Sequence, residues 1–334
     1  MKVLILRFSS IGDIVLTTPV VRTLKTQLEE ARIHYATKIQ YSSLFEVNPY
    51  IDKMHFLKDS ITDLIRELKD ENFDYIIDLH HNLRTLRIKQ SLRVKSFSYN
   101  KLNIEKWLLV NLKINKLPDV HIVDRYMETV KPLGVKMDAL GLDYFIPEKD
   151  EVPLDWLPPE FQNGYVAYAI GAQHNTKKLP LKRIIELCEK INKPIVLLGG
   201  KEDDETGGAV MDFFKKQLPQ INGPKIVAPS NNTVVYNACG KFSLNQSASI
   251  VKQARHVFSH DTGLMHIAAA FRKDVYSLWG STIPSFGMYP YRTKFVVLEK
   301  VGLSCRPCSK IGYFKCPKGH FKCMNEIVFD FYLP

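Results

Sequence analysis

Apolar and polar positions along the chain fall into short runs that alternate between two periods. Lys2-Val-Leu-Ile-Leu-Arg7 is continuously apolar between charged ends, the pattern of a strand covered on both faces. After it, Val15, Leu16, Pro19, Val20 and Leu24 recur at helical spacing. The same alternation predicts strands over 33–37, 53–57, 75–79 and 94–99, with helices at 61–69 and 124–133. Residues 147–163 break the rhythm: they are rich in proline and acid, with Pro158 and Pro159 adjacent, and read as a linker. Strands are then predicted at 165–170, 195–198, 225–227, 256–259 and 275–279. Two such blocks describe an α/β protein with two Rossmann-like domains, 1–155 and 156–334, facing a cleft between the carboxyl edges of two parallel sheets.

Composition narrows this picture. At 334 residues the chain is long for one open sheet and natural for two domains of ~150 residues. No apolar run approaches the ~18–20 residues of a membrane span. Met1-Lys2 leads into a strand rather than a signal peptide, so a cytoplasmic location is expected. With 46 basic and 35 acidic residues the net charge is +11, which calls for an anionic partner: nucleic acid, an anionic membrane surface or a phosphorylated glycolipid. The basic residues are spread and no nucleic-acid motif occurs, so nucleic acid is set aside.

Two strand-to-helix turns carry the candidate chemistry. In Ser259-His-Asp-Thr-Gly-Leu-Met-His-Ile-Ala-Ala-Ala-Phe271, residues Asp261, Thr262, Gly263 and Leu264 sit at a helix N-terminus, where free amides and the helix dipole attract phosphate. His266 follows one turn later on the same face. The plainer alternative is a capped core helix. At the other end of the chain, Ser9, Ser10, Gly12 and Asp13 form a turn of the same kind, in which Asp13 is either a dipole-complementing residue or a base held in a cleft. Neither a Gly-x-Gly-x-x-Gly fingerprint nor a Walker sequence is present. Gly171, Thr176, Lys177 and Lys178 form a third turn, suited to a diphosphate or simply an exposed basic loop. Gly199 and Glu202 mark a fourth, with Glu202 a candidate for a sugar hydroxyl. His80, His81 and Arg84 gather after the 75–79 strand, and with Arg125 and Lys131 suggest an anionic acceptor site. Cys188 and Cys239 stand in apolar surroundings. Cys305, Cys308, Cys316 and Cys323 lie in a basic tail, where they are free thiols or hold a structural zinc.

The motif Ser9-Ser-Ile-Gly-Asp13, the motif Asp261-Thr-Gly-Leu-Met-His266 and the cysteine-rich end together resemble the ADP-heptose:lipopolysaccharide heptosyltransferases of glycosyltransferase family 9. The likeness runs over nearly the whole chain, with Leu179 standing where the family's Lys-x-aromatic-Pro pattern has an aromatic. It implies the GT-B arrangement of two Rossmann-like domains and inverting transfer of heptose from ADP-heptose to the lipopolysaccharide inner core. By that resemblance Asp13 is the general base. Ser10, Gly12, Thr176, Lys177, Gly199, Glu202, Asp261, Thr262, Gly263, Leu264 and His266 contact the donor, and His81, Arg84 and Arg125 contact the lipid-linked acceptor. No Asp-x-Asp pair occurs, so metal-independent chemistry with no required cofactor is expected. The enzyme would work peripherally at the inner face of the inner membrane. Other readings are an epimerase or a transferase of another sugar on the same fold, or a non-catalytic sugar-nucleotide binder. A nicotinamide-dependent oxidoreductase is disfavoured by the missing glycine fingerprint.

Overall fold

The computed structural model describes residues 1–217 and 232–334. The first sheet is built from β1 (Lys2–Leu6), β2 (Arg32–Lys38), β3 (Lys53–Leu57), β4 (Tyr75–Asp78) and β5 (Ser96–Ser98). Helices α1 (Ile11–Val15), α2 (Thr18–Gln27), α3 (Ile61–Lys69), α4 (Leu83–Leu92), α5 (Asn103–Leu112) and α6 (Ile122–Met127) surround it. The short α7 (Pro159–Gln162) precedes a second sheet of β6 (Val166–Ala169), β7 (Ile195–Leu198), β8 (Val235–Asn237), β9 (His256–His260), β10 (Asp274–Trp279) and β11 (Phe295–Glu299). Its helices are α8 (Leu181–Ile191), α9 (Asp204–Gln217), α10 (Leu244–Gln253), α11 (Gly263–Ala270) and α12 (Lys322–Asn325).

The strand orders are β3-β2-β1-β4-β5 and β11-β10-β9-β6-β7-β8, and every pairing is parallel. Each order reverses beside the sheet's first strand, between β1 and β4 and between β6 and β9. A crevice opens at the carboxyl ends of strands at such a reversal. Successive residues of β1 enter opposite cores: Val3 and Ile5 face one, Leu4 and Leu6 the other. Both sides of the sheet are therefore covered, which is why the run is apolar without alternation.

Several boundaries differ from the sequence expectation. The last strand of the first sheet is shorter, and the helix expected over 124–133 starts at Ile122 and ends at Met127. Pro132 has no amide to donate and lies instead in a 3-10 turn, Lys131–Leu133. Strands β8 and β11 were not anticipated; β11 is an edge strand whose Phe295 and Val296 are exposed. The strand expected at 225–227 lies outside the described residues. The proline- and acid-rich stretch 147–163 is packed rather than loose. Val152, Leu157 and Phe161 are buried in the second half, and Glu151 accepts from Ser249 and Lys252 on α10. The two halves also share a core: Ile267 and Ala269 of α11, with Tyr291, join the cluster around Val3 and Ile5.

Candidate active site

The β1–α1 turn places Asp13 beside two groups that hold its charge. Arg7, the buried residue that follows β1, lies with Nη2 2.7 Å from Asp13 Oδ1. The other guanidinium contacts go to the carbonyls of Ser9 and Leu79 and the hydroxyl of Tyr126, so the cation is fixed. Asp13 Oδ2 accepts from the amide and the hydroxyl of Ser10, at 3.2 and 2.8 Å. Burial alone would favour the neutral acid, but Arg7 and then Ser10 outweigh it, and Asp13 stays below its usual carboxylate range. Ser10 thus serves the carboxylate here.

The helix α11 meets this turn directly. A methyl at Gly12 would come within 2.6 Å of His266 Cδ2, and one at Gly263 within 2.6 Å of Ile11 Cγ2. Both glycines thus let α1 and α11 pack together, rather than only giving a ligand room. Leu264 is half-buried between the cores of the two halves. His266 is buried, and burial lowers its pKa to about 4, so at neutral pH it carries no charge. Thr262 occupies the N-cap of α11, yet its side chain makes no cap bond and turns to Ser259 Oγ at 3.2 Å. The first amides of α11 therefore lack a side-chain cap, which is the condition for anion binding at a helix start.

Lys177 joins this place from the β6–α8 loop, its Nζ 2.6 Å from Asp261 Oδ2, which also accepts from Thr282 at 2.9 Å. Thr176 is drawn away from the cleft. Its hydroxyl sits 2.9 Å from Ser281 Oγ and accepts from the Tyr313 amide at 2.7 Å, binding the tail to the second half. The acid at the ends of β6 and β7 is Asp203, against expectation. It fills the space left by Gly171 and Gly199, and accepts from Lys178 at 2.6 Å and the Gly200 amide at 2.9 Å. Glu202 is exposed. Leu179 is buried, its amide donating to His260 Nε2 at 3.0 Å, so an apolar residue suffices where an aromatic was expected.

On the opposite wall, Arg84 lies 5.7 Å from the Phe8 ring, and His81 sits 2.9 Å from the Tyr99 carbonyl through Nδ1. Arg125 is buried and donates to the Phe286 carbonyl at 3.1 Å, bridging the two halves. Lys131 is exposed and pairs with Glu128. The structure adds basic residues that no motif announced. Lys101 and Lys106 both feel Asp13 electrostatically. Burial, then Arg125, Lys310 and Lys101, lowers the Lys106 pKa to about 8. His80, between Phe8 and Arg7, is kept neutral by burial at about 4. His80 stands out in the sequence with its cluster and Arg7 shows as the charge closing the apolar run 2–7, whereas Lys101 and Lys106 leave no trace there.

In the tail, Cys308 Sγ lies 3.1 Å from the Cys305 carbonyl, and Cys305 Sγ lies 3.8 Å from His320 Nε2. Burial and the neighbouring thiols raise Cys308 to about 11 and Cys323 to about 12. Cys188 and Cys239 are buried in the second half's core. Elsewhere, among the described residues, His34, His55 and Glu71 present potential ligand atoms within 4.8 Å of one another. There His34 Nδ1 and His55 Nε2 are hydrogen-bonded at 2.9 Å, and Lys2 and Lys53 hold Glu71.

Residues 61–315 match the family described as glycosyltransferase family 9 (heptosyltransferase). The chain is 21% identical over 310 residues to lipopolysaccharide heptosyltransferase 1 of Campylobacter coli, covering 86% of this chain and 85% of that one. Among solved structures it is similar to Escherichia coli ADP-heptose lipopolysaccharide heptosyltransferase II, at TM-score 0.68 and 17% identity, over 98% of both chains. It also resembles the Escherichia coli heptosyltransferase WaaC bound to ADP-2-deoxy-2-fluoro heptose, at TM-score 0.63 and 19% identity, over 89% of this chain and 93% of that one.

Proposed function

The chain belongs to glycosyltransferase family 9 (heptosyltransferase) and is a glycosyltransferase with the GT-B fold; we propose that it transfers heptose from ADP-heptose to the inner core of lipopolysaccharide with inversion at the anomeric carbon. The donor and acceptor are those named for its relatives. What carries the reading is the meeting of a charged, oriented Asp13 with the open N-terminus of α11.

In the proposed reaction Asp13 accepts the proton of an acceptor hydroxyl as its oxygen bonds to the anomeric carbon. The bond from that carbon to the β-phosphate oxygen breaks and ADP departs with the electron pair. The first amides of α11 and the ammonium of Lys177 stabilise the diphosphate, an electrostatic role suited to a fixed, partly buried site. Lys177 would exchange its contact with Asp261 for phosphate. The absence of an Asp-x-Asp pair supports a reaction without a divalent ion. Under this reading residues 156–334 hold the nucleotide sugar. Residues 1–155 hold the acceptor through Arg84, His81, Lys101 and Lys106, with Arg125 fixing the wall behind them.

The four tail cysteines would make a soft donor set of the kind that selects zinc, although no three of their sulfur atoms lie within 4.8 Å of one another here, so binding would have to draw them together. Burial, and then the neighbouring thiols, raise Cys308 and Cys323, and a bound cation would oppose that by taking them as thiolates. Such an ion would brace the tail and supply no step of the transfer. Among the described residues no helix is long and apolar enough to cross a membrane, and the +11 charge supports peripheral work at an anionic bilayer.

Mass spectrometry of a mixture of ADP-heptose and Kdo–lipid A acceptor tests the reading. Expected are ADP and an acceptor heavier by one heptose. ADP-heptose consumed without any such acceptor would replace transfer by hydrolysis or isomerisation, and no consumption with any acceptor would overturn the enzyme assignment.

A further inference from the structure

The outward face of α5 is apolar where a surface helix ordinarily carries polar residues. Ile104 is 73% exposed, Trp107 51% and Leu112 53%, on a broad arc of about 140° that also carries exposed Asn111, while Leu109 beyond its edge is buried. Against this helix lies the tail loop. Lys113 Nζ donates to the carbonyls of Cys305 and Pro307 at 3.2 and 2.7 Å, and Lys310 reaches Asn103 Oδ1 at 3.5 Å. The loop adds exposed apolar groups of its own, Ile311 at 62% and Phe314 at 74%. From Val301 to Asn325 the sequence holds no acidic residue, yet Arg306, Lys310, Lys315, Lys318 and Lys322 fall within it.

We propose that α5 and the adjoining tail loop form one membrane-docking face, and that its partner is the surface of an anionic bilayer. Aromatic and aliphatic groups interleaved with lysine are the composition that settles at the headgroup level: the rings and branched chains enter the boundary, and the ammonium groups stay with the phosphates. Net charge alone could draw the protein to such a surface. The apolar arc supplies what charge cannot, a contact that salt does not screen. Its position is also suited to a lipid-linked acceptor. Lys106, on the inner side of the same helix, feels Asp13 across the cleft. A bilayer under the outer side would bring headgroup-proximal sugars to the cleft without pulling the lipid from the membrane. That last point rests on the transferase reading above; the docking face does not.

Trp107 is a built-in reporter. Vesicles of phosphatidylethanolamine and phosphatidylglycerol should shift the protein's tryptophan emission to the blue and carry it down on sedimentation. Phosphatidylcholine vesicles, which offer the apolar contact without the charge, should do both much more weakly. The blue shift should vanish in Trp107→Phe, because Trp279 is buried and Trp156 belongs to a different element, the turn Leu154–Trp156. The double variant Ile104→Glu/Leu112→Glu should bind roughly tenfold more weakly or worse, with unchanged melting temperature and ADP affinity. Part of the wild-type binding should survive roughly half-molar salt. A blue shift that persists in Trp107→Phe, or undiminished sedimentation of the double variant, overturns the proposal. So does binding abolished by salt alone, or a wild-type dimer that the double variant converts to monomer, which would make a second copy the occupant. Failure of the transferase reading would appear separately, as absent ADP release with vesicle binding intact.

Discussion

Asp13 is a buried acid kept ionised by a fixed cation and a serine, and that arrangement governs both its use and its pH range. If it is the base, Asp13→Asn should lower turnover by roughly 10²–10⁴-fold while calorimetric ADP affinity stays near normal. Near-normal turnover in that variant would remove the assignment. Because the folded pKa of Asp13 is depressed, the base is present at neutral pH and is lost only on the acid side, below the ordinary carboxylate range. Lys106 titrates in the opposite direction. With a pKa lowered to about 8 it is charged at pH 7 and becomes neutral as the pH rises past that value. The KM for an anionic acceptor should therefore climb between about pH 7.5 and 9, and Lys106→Arg should abolish the climb because a guanidinium stays protonated there. A KM profile that is flat for the wild type, or unchanged in Lys106→Arg, would exclude Lys106 from acceptor binding. Asp13 was readable from its turn. Lys106 was not, since its lowered pKa arises first from burial and then from cations that include Arg125 and Lys310, distant in sequence.

At the level of elements, the paired strand–turn–helix units show what a motif does and does not carry. The positions of α1 and α11 followed from apolar runs ending in small and polar residues. The sequence says that Gly12 and Gly263 must be small, but not which neighbour demands it. The demand comes from each other's helices. Gly263→Ala should cost about 1–3 kcal/mol in a denaturant titration, as overpacking does. Ile11→Ala in the same chain should recover part of that loss; no recovery would mean that Ile11 is not the obstacle. The helix start gives a second expectation. Lys177→Ala should weaken ADP binding by calorimetry, and His81→Ala or Arg84→Ala should leave it almost unchanged. Equal losses in all three variants would show that the donor and acceptor walls have been interchanged. Glu202 and Asp203 mark the limit of such reading: adjacent acids on one turn look alike in sequence, and only the cavity between Gly171 and Gly199 selects Asp203 for burial.

For the whole molecule, two α/β blocks were legible because parallel strands covered on both faces leave continuous apolar runs. The contacts that cross between the halves were not legible, because they are made by isolated residues. Arg125 reaches the Phe286 carbonyl, Ile122 donates its amide to Gly287, and His121 lies 2.9 Å from the Tyr289 carbonyl through Nε2. The tail depends on similar ties. Arg306 donates to the carbonyls of Gly280 and Thr282 and pairs with Glu299 at 2.5 Å, while Thr176 holds Tyr313. Between these anchors residues 307–321 form only turns and bends, with no strand or helix to stiffen them. A metal on Cys305, Cys308, Cys316 and Cys323 would supply the missing rigidity by cross-linking both ends of the segment. Binding free energy at such a site adds to folding free energy. Protein purified without chelator should then carry about one zinc per chain. Cys316→Ser should lose it, and Cys188→Ser, whose thiol is buried on α8 among apolar side chains, should retain it. Removing the ion should lower the melting temperature by about 2–4 °C for each kcal/mol that it contributes. Metal-free protein from zinc-supplemented growth, with a melting temperature indifferent to chelator, would mean that the four thiols are free and that Arg306 and Thr176 hold the tail unaided.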